Sequence, residues 1–362
     1  MAFDLNVLKG DVLKKTQELS KDIEFRSIIE KGANGYVLFG HNKVLKRDVV
    51  VKFYYWGGGG GGAGDHAEPE LLARLESDHI LKVYHAESLN KDDAYFMTPY
   101  CASGDLLDAI EKRRFGNVEA IDIAGQIAAG TSFLHANGYL HRDLKPENIF
   151  CISDSKFVIG DFGSVVPQHA DGSANSQTRH SLIYRTPEEI TEKKYYRQGD
   201  VYQLGIVVYQ LLGGVLSYNE RDWLTKKEQA TYDKLSGNDP QLFATEAIEK
   251  RIVRGRVLDL DSLPPWVCKP LRTMIRKCCS TNIAARYALV SDLSSALNNL
   301  RARVPDWRVE EHPILRRGRR QFRIVPVKGA LAIEKKAGES WRRERALNPA
   351  HLAEAVVMAE AI

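Results

Sequence analysis

The chain has 362 residues, with 51 Lys and Arg against 47 Asp and Glu, and a formal net charge of +4. Hydrophobic residues make up 44% and charged residues 27%, which is typical of globular proteins and excludes a mainly disordered or fibrous chain. No apolar run reaches the roughly 18 residues of a membrane-spanning helix, and the N-terminus lacks the apolar core of a secretion signal. Five cysteines without zinc-ligand spacing indicate reduced thiols, so we expect a cytoplasmic protein.

The first half of the chain begins with a predicted helix and continues with strands. Residues 1–22 place apolar side chains at helical spacing among lysines and predict an N-terminal helical extension. Short β-branched runs then predict antiparallel strands at 28–29, 36–39 and 49–55. Six consecutive glycines at 57–62 predict a flexible loop, because glycine loses the most backbone entropy on ordering.

The pattern after residue 68 is mainly helical and includes a long apolar helix at 201–212. Strands interrupt it at 79–81, 95–98, 149–151 and 157–159.

The last 62 residues differ from the rest in charge. Residues 301–362 contain 14 Lys and Arg against 8 Asp and Glu, a net of +6, which leaves −2 for the other 300 residues (37 against 39). The densest basic cluster is Arg316-Arg317-Gly318-Arg319-Arg320. A hairpin is predicted from 322–327 and 330–334, and Asn348 and Pro349 predict the start of a helix through Met358.

This basic extension has two alternative interpretations. It binds nucleic acid or an acidic protein, or it is a solvated face or a docking strap folded on the preceding domain. The extension carries no recognisable nucleic-acid motif, which favours the strap or a protein-docking role.

The strongest motif is His141-Arg142-Asp143-Leu144-Lys145-Pro146-Glu147-Asn148, with Asp161-Phe162-Gly163 beginning thirteen residues after Asn148. With these two motifs the chain resembles the eukaryotic-type Ser/Thr protein kinase family over about residues 25–300. The resemblance implies an α+β, two-lobed fold with ATP bound between the lobes. It places an antiparallel N-lobe with one helix at 23–98, a mainly helical C-lobe at 102–300, and the small basic extension beyond.

The residue types in both motifs suit phosphoryl transfer, which needs positioning and neutralisation of phosphate charge. Asp143 can accept the proton of an incoming hydroxyl. Lys145 can reach the transferring phosphate, and within the family this lysine indicates Ser/Thr specificity. Asn148 and Asp161 supply oxygen ligands for Mg²⁺.

The resemblance also assigns the nucleotide site. Lys52 is the phosphate-binding lysine, paired with Glu68, or with Glu70 because Pro69 leaves the helix register open. Thr98 precedes the hinge that faces adenine, and Glu30 replaces the first glycine of the family's glycine-rich loop. The residues assigned to the nucleotide are Ile29, Gly32, Gly35, Val37, Val50, Lys52, Pro99 and Cys101.

Other positions are assigned to the scaffold and to regulation. Glu188 is expected to pair with Arg286, and Asp200 to hydrogen-bond the backbone of the catalytic loop. Arg142, before Asp143, suggests an activation segment controlled by phosphate. We expect autophosphorylation at Thr178 or Ser176, with Ser181 placed near the substrate hydroxyl.

The predicted function is transfer of the ATP γ-phosphate to Ser or Thr hydroxyls of protein substrates. One alternative is a pseudokinase scaffold that binds partners through its lobes and basic tail. It is disfavoured because Lys52, Asp143, Asn148 and Asp161 fill every chemical position. The other alternative, a small-molecule kinase, would lack the Lys-Pro-Glu between the catalytic Asp and Asn.

Overall fold

Five antiparallel strands form the sheet of the N-terminal lobe. The computed structural model describes residues 7–32, 35–55, 75–175 and 181–362. The elements of this lobe are α1 (Gly10–Leu19), β1 (Ile23–Gly32), β2 (Gly35–Asn42), β3 (Arg47–Tyr55), β4 (His85–Ser88) and β5 (Asp93–Pro99). The strand order is β1-β2-β3-β5-β4, and each neighbouring pair is antiparallel. The antiparallel sheet predicted from the sequence is confirmed.

The N-terminal helix α1 packs on the outer face of this sheet. Leu8, just before the helix, is buried with Leu38 of β2 and Val51 of β3, and Leu13 of α1 packs against the same cluster. Successive side chains of a strand point to opposite faces. Lys52 therefore lies on the other face, which looks towards the second lobe.

The second lobe is mainly helical. Its helices are α2 (Leu106–Lys112), α3 (Asn117–Ala136), α4 (Pro187–Thr191), α5 (Arg197–Leu211), α6 (Lys226–Tyr232), α7 (Asp239–Val253), α8 (Lys269–Cys278) and α9 (Val290–Arg301). Short strands lie between them: β6 (Tyr139–Leu140), β7 (Ile149–Ser153), β8 (Lys156–Ile159), β9 (Val166–Pro167), β10 (Ser173–Asn175) and β11 (Lys194–Tyr196). With the N-terminal sheet, this lobe gives the two-lobed α+β fold that the sequence predicts.

Helix α5 runs through the centre of the second lobe, where nearly all of its side chains are buried. This position explains why apolar residues occur on every side of the helix. Among the described residues, no helix combines the length and the apolar character needed to cross a bilayer.

The strand predicted at 79–81 is wrong. Ile80 forms only an isolated bridge with Ile159 of β8. The apolar side chains of Ile80, Leu81 and Val83 are buried in the core between the lobes. Burial of an irregular segment, rather than pairing in a strand, therefore accounts for this apolar run.

A third unit follows the helical lobe. It contains β12 (Asp306–Val309), β13 (Pro313–Arg317), β14 (Arg320–Val327), β15 (Ala330–Ala337), β16 (Ser340–Arg343) and α10 (Leu352–Ala361). The five strands form one antiparallel meander in chain order. We call residues 305–362 the C-terminal unit. It contains the hairpin expected from the sequence and three further strands.

The C-terminal unit has a hydrophobic core of its own and packs against the helical lobe. Trp307 and Phe322 are buried with Val356 of α10. The Trp307 ring lies 6.4 Å from that of Trp266, between centroids. The Asn117 side chain donates to the Trp266 and Pro305 carbonyls at 2.8 and 3.2 Å. The extension thus packs on the preceding domain, as one of the sequence-based alternatives expected, but it does so as a sheet-and-helix unit and not as an extended strap.

The start of α10 also differs from the prediction. His351, not Asn348, caps the helix, because its Nδ1 accepts the backbone N–H of Glu354 at 3.2 Å. The Glu354 carboxylate in turn accepts the Ala350 N–H at 2.7 Å. The helix therefore begins after Pro349 and continues to Ala361, beyond the predicted end.

Candidate active site

Lys52 lies on the inner face of the N-terminal sheet. The strand register pairs Val37 with Lys52 and Val50 with Thr98, and side chains two residues apart share a face. All four therefore point into the cleft between the lobes. Across the cleft, Nζ of Lys52 lies 2.5 Å from Oδ1 of Asp161.

The turn between β1 and β2 borders this cleft and requires glycine. Gly32 and Gly35 are cross-strand partners. Gly35 has φ +126°, and a Cβ there would lie 2.0 Å from the Phe53 carbonyl oxygen. Only glycine fits at position 35, so the turn presents backbone atoms rather than a side chain to the cleft here. Residues 33–34 and the side chains of Ile29 and Glu30 lie outside the described residues.

Asp143 is held by two neighbours in the loop after β6. The Asn148 side chain donates to Oδ2 of Asp143 at 3.0 Å and to its carbonyl at 2.7 Å. Nζ of Lys145 lies 3.1 Å from the same Oδ2. Oδ1 of Asp143 is buried and accepts no hydrogen bond from the described part of the chain. One carboxylate oxygen is thus fixed, and the other suits acceptance of a proton.

Lys145 carries a positive charge beside Asp143. Burial alone would lower the pKa of the Lys145 ammonium, but the nearby Asp143 carboxylate more than offsets it, so the pKa is raised. Its Nζ also donates to Oγ of Ser181 at 2.9 Å. Ser181 therefore lies beside the catalytic loop, as expected.

Asp161 has a left-handed backbone, with φ +53°. Burial alone would raise the pKa of its carboxyl, but the Lys52 ammonium lowers it below the usual value. The backbone N–H of Gly160 donates to the Asn148 carbonyl at 2.9 Å. This bond sets the ionised Asp161 next to Asn148.

Residues 23–297 match the family model described as the protein kinase domain. This match covers well over half of the chain. The chain belongs to the protein kinase family. Similar proteins include the 3-phosphoinositide-dependent protein kinase B of Dictyostelium discoideum, 27% identical over 70% of this chain and 31% of that protein. The maternal embryonic leucine zipper kinase of Danio rerio is 30% identical over 72% of this chain and 40% of that protein. The alignments thus span less than half the length of these relatives.

Protein kinases use ATP and Mg²⁺, and the kinase site described above fits both. Mg²⁺ in such sites binds one or two protein oxygens plus the nucleotide phosphates. Asn148 and Asp161 are oxygen donors of this kind. Within the ranges described above, no group of three or more His, Cys, Asp or Glu could hold a metal ion unaided. The residues therefore suit a metal that binds together with the nucleotide.

The hinge of the kinase connects β5 to α2. The N–H of Tyr100 donates to the Asp48 carbonyl at 3.1 Å, and the N–H of Gly104 to the Cys101 carbonyl at 3.0 Å. These bonds fix the backbone of Pro99 and Cys101, the positions expected to face adenine. Burial raises the pKa of the Cys101 thiol to about 11, so it is neutral at physiological pH.

Asp200 of α5 braces the catalytic loop, which confirms the expectation from sequence. It is fully buried and accepts the N–H groups of His141 and Arg142 at 3.0 and 2.9 Å. The hydroxyl of Tyr195 donates to it at 2.7 Å, and Nε2 of His135 lies 2.7 Å away.

Gln203 is a second brace, which the sequence analysis missed. Its Oε1 accepts the Leu144 N–H at 2.8 Å, and its Nε2 donates to the Arg142 and Tyr184 carbonyls at 2.8 and 3.2 Å. Gln203 thus ties the catalytic loop to the segment that precedes α4. The available signal was a polar residue one helical turn after Asp200 in a mainly apolar helix.

The expected pair of Glu188 and Arg286 is confirmed as well. Two parallel hydrogen bonds of 2.8 and 2.7 Å join the guanidinium to the carboxylate. Their side chains are 4% and 0% exposed, respectively.

Several predicted residues lie outside the described residues. These are Glu68 and its alternative Glu70, the glycines at 57–62, and the activation-segment residues Ser176 and Thr178. Within the described residues, the carboxylate that pairs with Lys52 is Asp161.

The Asp200 brace predicts a pH effect on stability. Burial alone would raise the Asp200 pKa, but the His135 hydrogen bond and the loop N–H groups lower it to about 2. An aspartate with a depressed pKa stabilises the native state above its unfolded pKa, and this stabilisation is lost as pH falls towards 2. We expect the difference in unfolding free energy between the wild type and Asp200→Asn to narrow by about 1 kcal/mol from pH 6 to pH 3. Urea titrations at both pH values, with exposed Asp154→Asn as a control, measure this; an unchanged difference would contradict it.

Proposed function

We propose that this kinase transfers the γ-phosphate of ATP to Ser or Thr hydroxyls of protein substrates. The observation that carries the proposal is the buried Oδ1 of Asp143, which has no hydrogen-bond partner among the described residues while Oδ2 is fixed. A substrate hydroxyl placed there would donate its proton to Oδ1 as its oxygen bonds to the γ-phosphorus. The bond from this phosphorus to the bridging oxygen of ADP breaks in the same transfer.

The cations around Asp143 would neutralise charge in this step. Lys145 lies where the transferred phosphoryl group would pass, and Lys52 would bind phosphates at the inner end of the cleft. Asn148 and Asp161 would hold Mg²⁺, which neutralises charge on the bridged phosphates. Preorganised charges of this kind lower the barrier because they need no rearrangement during the reaction.

The contact between Lys145 and Ser181 supports a Ser or Thr acceptor. It holds Ser181 of the activation segment beside the catalytic loop, with Nζ of Lys145 only 2.9 Å from Oγ of Ser181. A short side chain would reach Oδ1 while the substrate backbone lies close to Ser181. The tyrosine side chain is longer, so a tyrosine hydroxyl at Oδ1 would require the substrate backbone to lie farther from Asp143.

Autophosphorylation of the activation segment belongs to the same proposal. Ser173 is buried, and its Oγ donates to Asp171 at 2.7 Å, while Ser181 binds Lys145. Neither hydroxyl is suited to be an acceptor. This supports Ser176 or Thr178 as the modified residue.

One experiment tests both parts. The full chain is incubated with Mg-ATP and three peptides that differ only in a Ser, Thr or Tyr acceptor, and the products are analysed by phosphopeptide mapping. We expect transfer to Ser and Thr peptides and phosphate on Ser176 or Thr178. Equal transfer to the Tyr peptide would contradict the specificity, and no phosphate within 164–185 would end the autophosphorylation proposal. No transfer to any peptide would favour the scaffold alternative.

A further inference from the structure

The sheet of the C-terminal unit has one face covered by α10 and an opposite face that is basic. Trp307, Leu315, Phe322 and Ile333 point to the α10 side. Because successive side chains of a strand point to opposite faces, the residues next to these four in each strand point to the other face. Two rows cross this second face from β12 to β16, which we call the basic face: Asp306, Arg316, Gln321, Lys336 and Trp341, and beside them Arg308, Ile314, Arg323, Glu334 and Arg343.

The basic face has an excess of positive charge. Its five cationic side chains face only two carboxylates, those of Asp306 and Glu334. Arg319 and Arg320, both exposed, extend the charge along the tip of the β13–β14 hairpin.

Two arginines of the basic face have unsatisfied donors. The Nε atoms of Arg308 and Arg316 are buried and make no hydrogen bond to any described residue. Nε of Arg308 lies 3.5 Å from Oδ1 of Asp306, within ion-pair range only. Because these Nε atoms are buried, a ligand would contact the terminal Nη atoms of the two partly exposed guanidinium groups, and an anion is the ligand that such cations favour.

Trp341 provides a flat ring at the far end of the face. The Arg323 guanidinium lies 4.6 Å from the ring centroid, and Nζ of Lys336 lies 5.8 Å from it. Two contacts of 2.7 and 2.8 Å from Arg323 to the Glu334 carboxylate hold this guanidinium in place. The Arg323 guanidinium covers one side of the ring, and the ring as a whole is partly exposed.

The aliphatic residues of this face are not available to a partner. Ile314, Val325 and Ala332 are all buried. A protein partner usually needs an apolar patch at the centre of its interface. A nucleic-acid strand needs cations for its phosphates and an aromatic ring for a base. The surface chemistry therefore favours nucleic acid over an acidic protein.

We propose that the basic face binds single-stranded nucleic acid, with phosphates at Arg316, Lys336 and Arg343 and an unpaired base stacked on Trp341. Five strands spaced by about 4.8 Å give a face about 19 Å wide. Another small β-sheet domain, the OB fold, binds about 4–16 nucleotides of a single strand. The unit is fixed to the helical lobe through Asn117 and Trp266, so the kinase site would be held beside the bound strand.

The test uses the full chain and a fluorescein-labelled 20-nucleotide oligothymidylate, with anisotropy measured from 50 to 300 mM NaCl. Each phosphate contact contributes about 0.7 to the slope of log K against log salt for a single strand. The variant Arg316→Ala/Lys336→Ala/Arg343→Ala should therefore make the slope shallower by about 2. Trp341→Leu should weaken binding about tenfold at an unchanged slope, because stacking does not release counterions.

A matched triple variant controls for overall charge. Lys226→Ala/Lys227→Ala/Arg256→Ala removes three exposed cations from the helical lobe and should leave binding as in the wild type. An equal loss in this control would overturn the proposal. So would tighter binding of a 20-residue polyglutamate peptide, which would identify an acidic protein partner, or of a 20-base-pair duplex. Phosphate transfer is measured separately, so failure here leaves the proposed kinase function untouched.

Discussion

Replacing Asp143 by Asn should lower the rate of phosphate transfer by about 10²- to 10⁴-fold, the usual contribution of a positioned general base. The substitution keeps the size of the side chain, and an amide oxygen can still accept the hydrogen bond that Asn148 donates. It removes the group that accepts the proton, together with the charge that pairs with Lys145. Single-turnover transfer from Mg-ATP to the Ser peptide measures the effect.

The control for this prediction is Asp154→Asn, which changes an exposed carboxyl on the turn between β7 and β8. It should transfer phosphate at the wild-type rate. Thermal unfolding of Asp143→Asn should give a midpoint close to that of the wild type, which separates lost chemistry from lost folding. Equal transfer rates for Asp143→Asn and the wild type would contradict a catalytic role for Asp143.

The sequence predicts well those parts of the site that depend on local spacing. Asp143, Lys145 and Asn148 fall within one loop, so their proximity follows from the chain itself. The antiparallel N-terminal sheet follows from β-branched runs separated by turns. Two other contacts were predicted only through the family resemblance, because each joins distant segments of the chain. They are the contact of Asp200 with the catalytic-loop backbone and the ion pair of Arg286 with Glu188.

Contacts that depend on packing were missed. Lys52 and Asp161 are 109 positions apart, and their ion pair arises where the two lobes meet. Gln203 is one of several polar residues in a mainly apolar helix, and its sequence position does not distinguish it from the others. Its two-sided hydrogen bonding to the catalytic loop becomes visible only when α5 is placed beneath that loop.

The C-terminal unit was hard to predict because its strands are short and rich in arginine. β12 and β16 have four residues each, too few for alternation to stand out. In β13 a proline and two arginines surround the apolar pair Ile314 and Leu315. Tertiary contacts decide the structure here, since Trp307 and Leu315 become a core only when α10 covers them.

The second large effect is expected from Arg286→Met in the helical lobe. The substitution leaves the Glu188 carboxylate buried without its counter-charge, and removing one partner of such a pair costs about 3–5 kcal/mol. Arg286 also donates to the carbonyls of Ser280 and Gln198 at 2.8 and 3.2 Å, and it lies over the Tyr202 ring. We therefore expect the unfolding midpoint to fall by about 10 °C, measured by calorimetry.

A double variant and an exposed pair separate burial from simple loss of an ion pair. Glu188→Gln/Arg286→Met no longer leaves an unpaired charge in the core, so it should unfold at a higher temperature than Arg286→Met alone. Arg221→Met breaks a pair with Asp233 of similar geometry, at 2.9 and 3.0 Å, whose side chains are 45% and 50% exposed. Solvent screens this pair, so the midpoint should hardly move. If Arg221→Met and Arg286→Met lowered the unfolding midpoint equally, burial would not account for the contribution of the Glu188–Arg286 pair to stability.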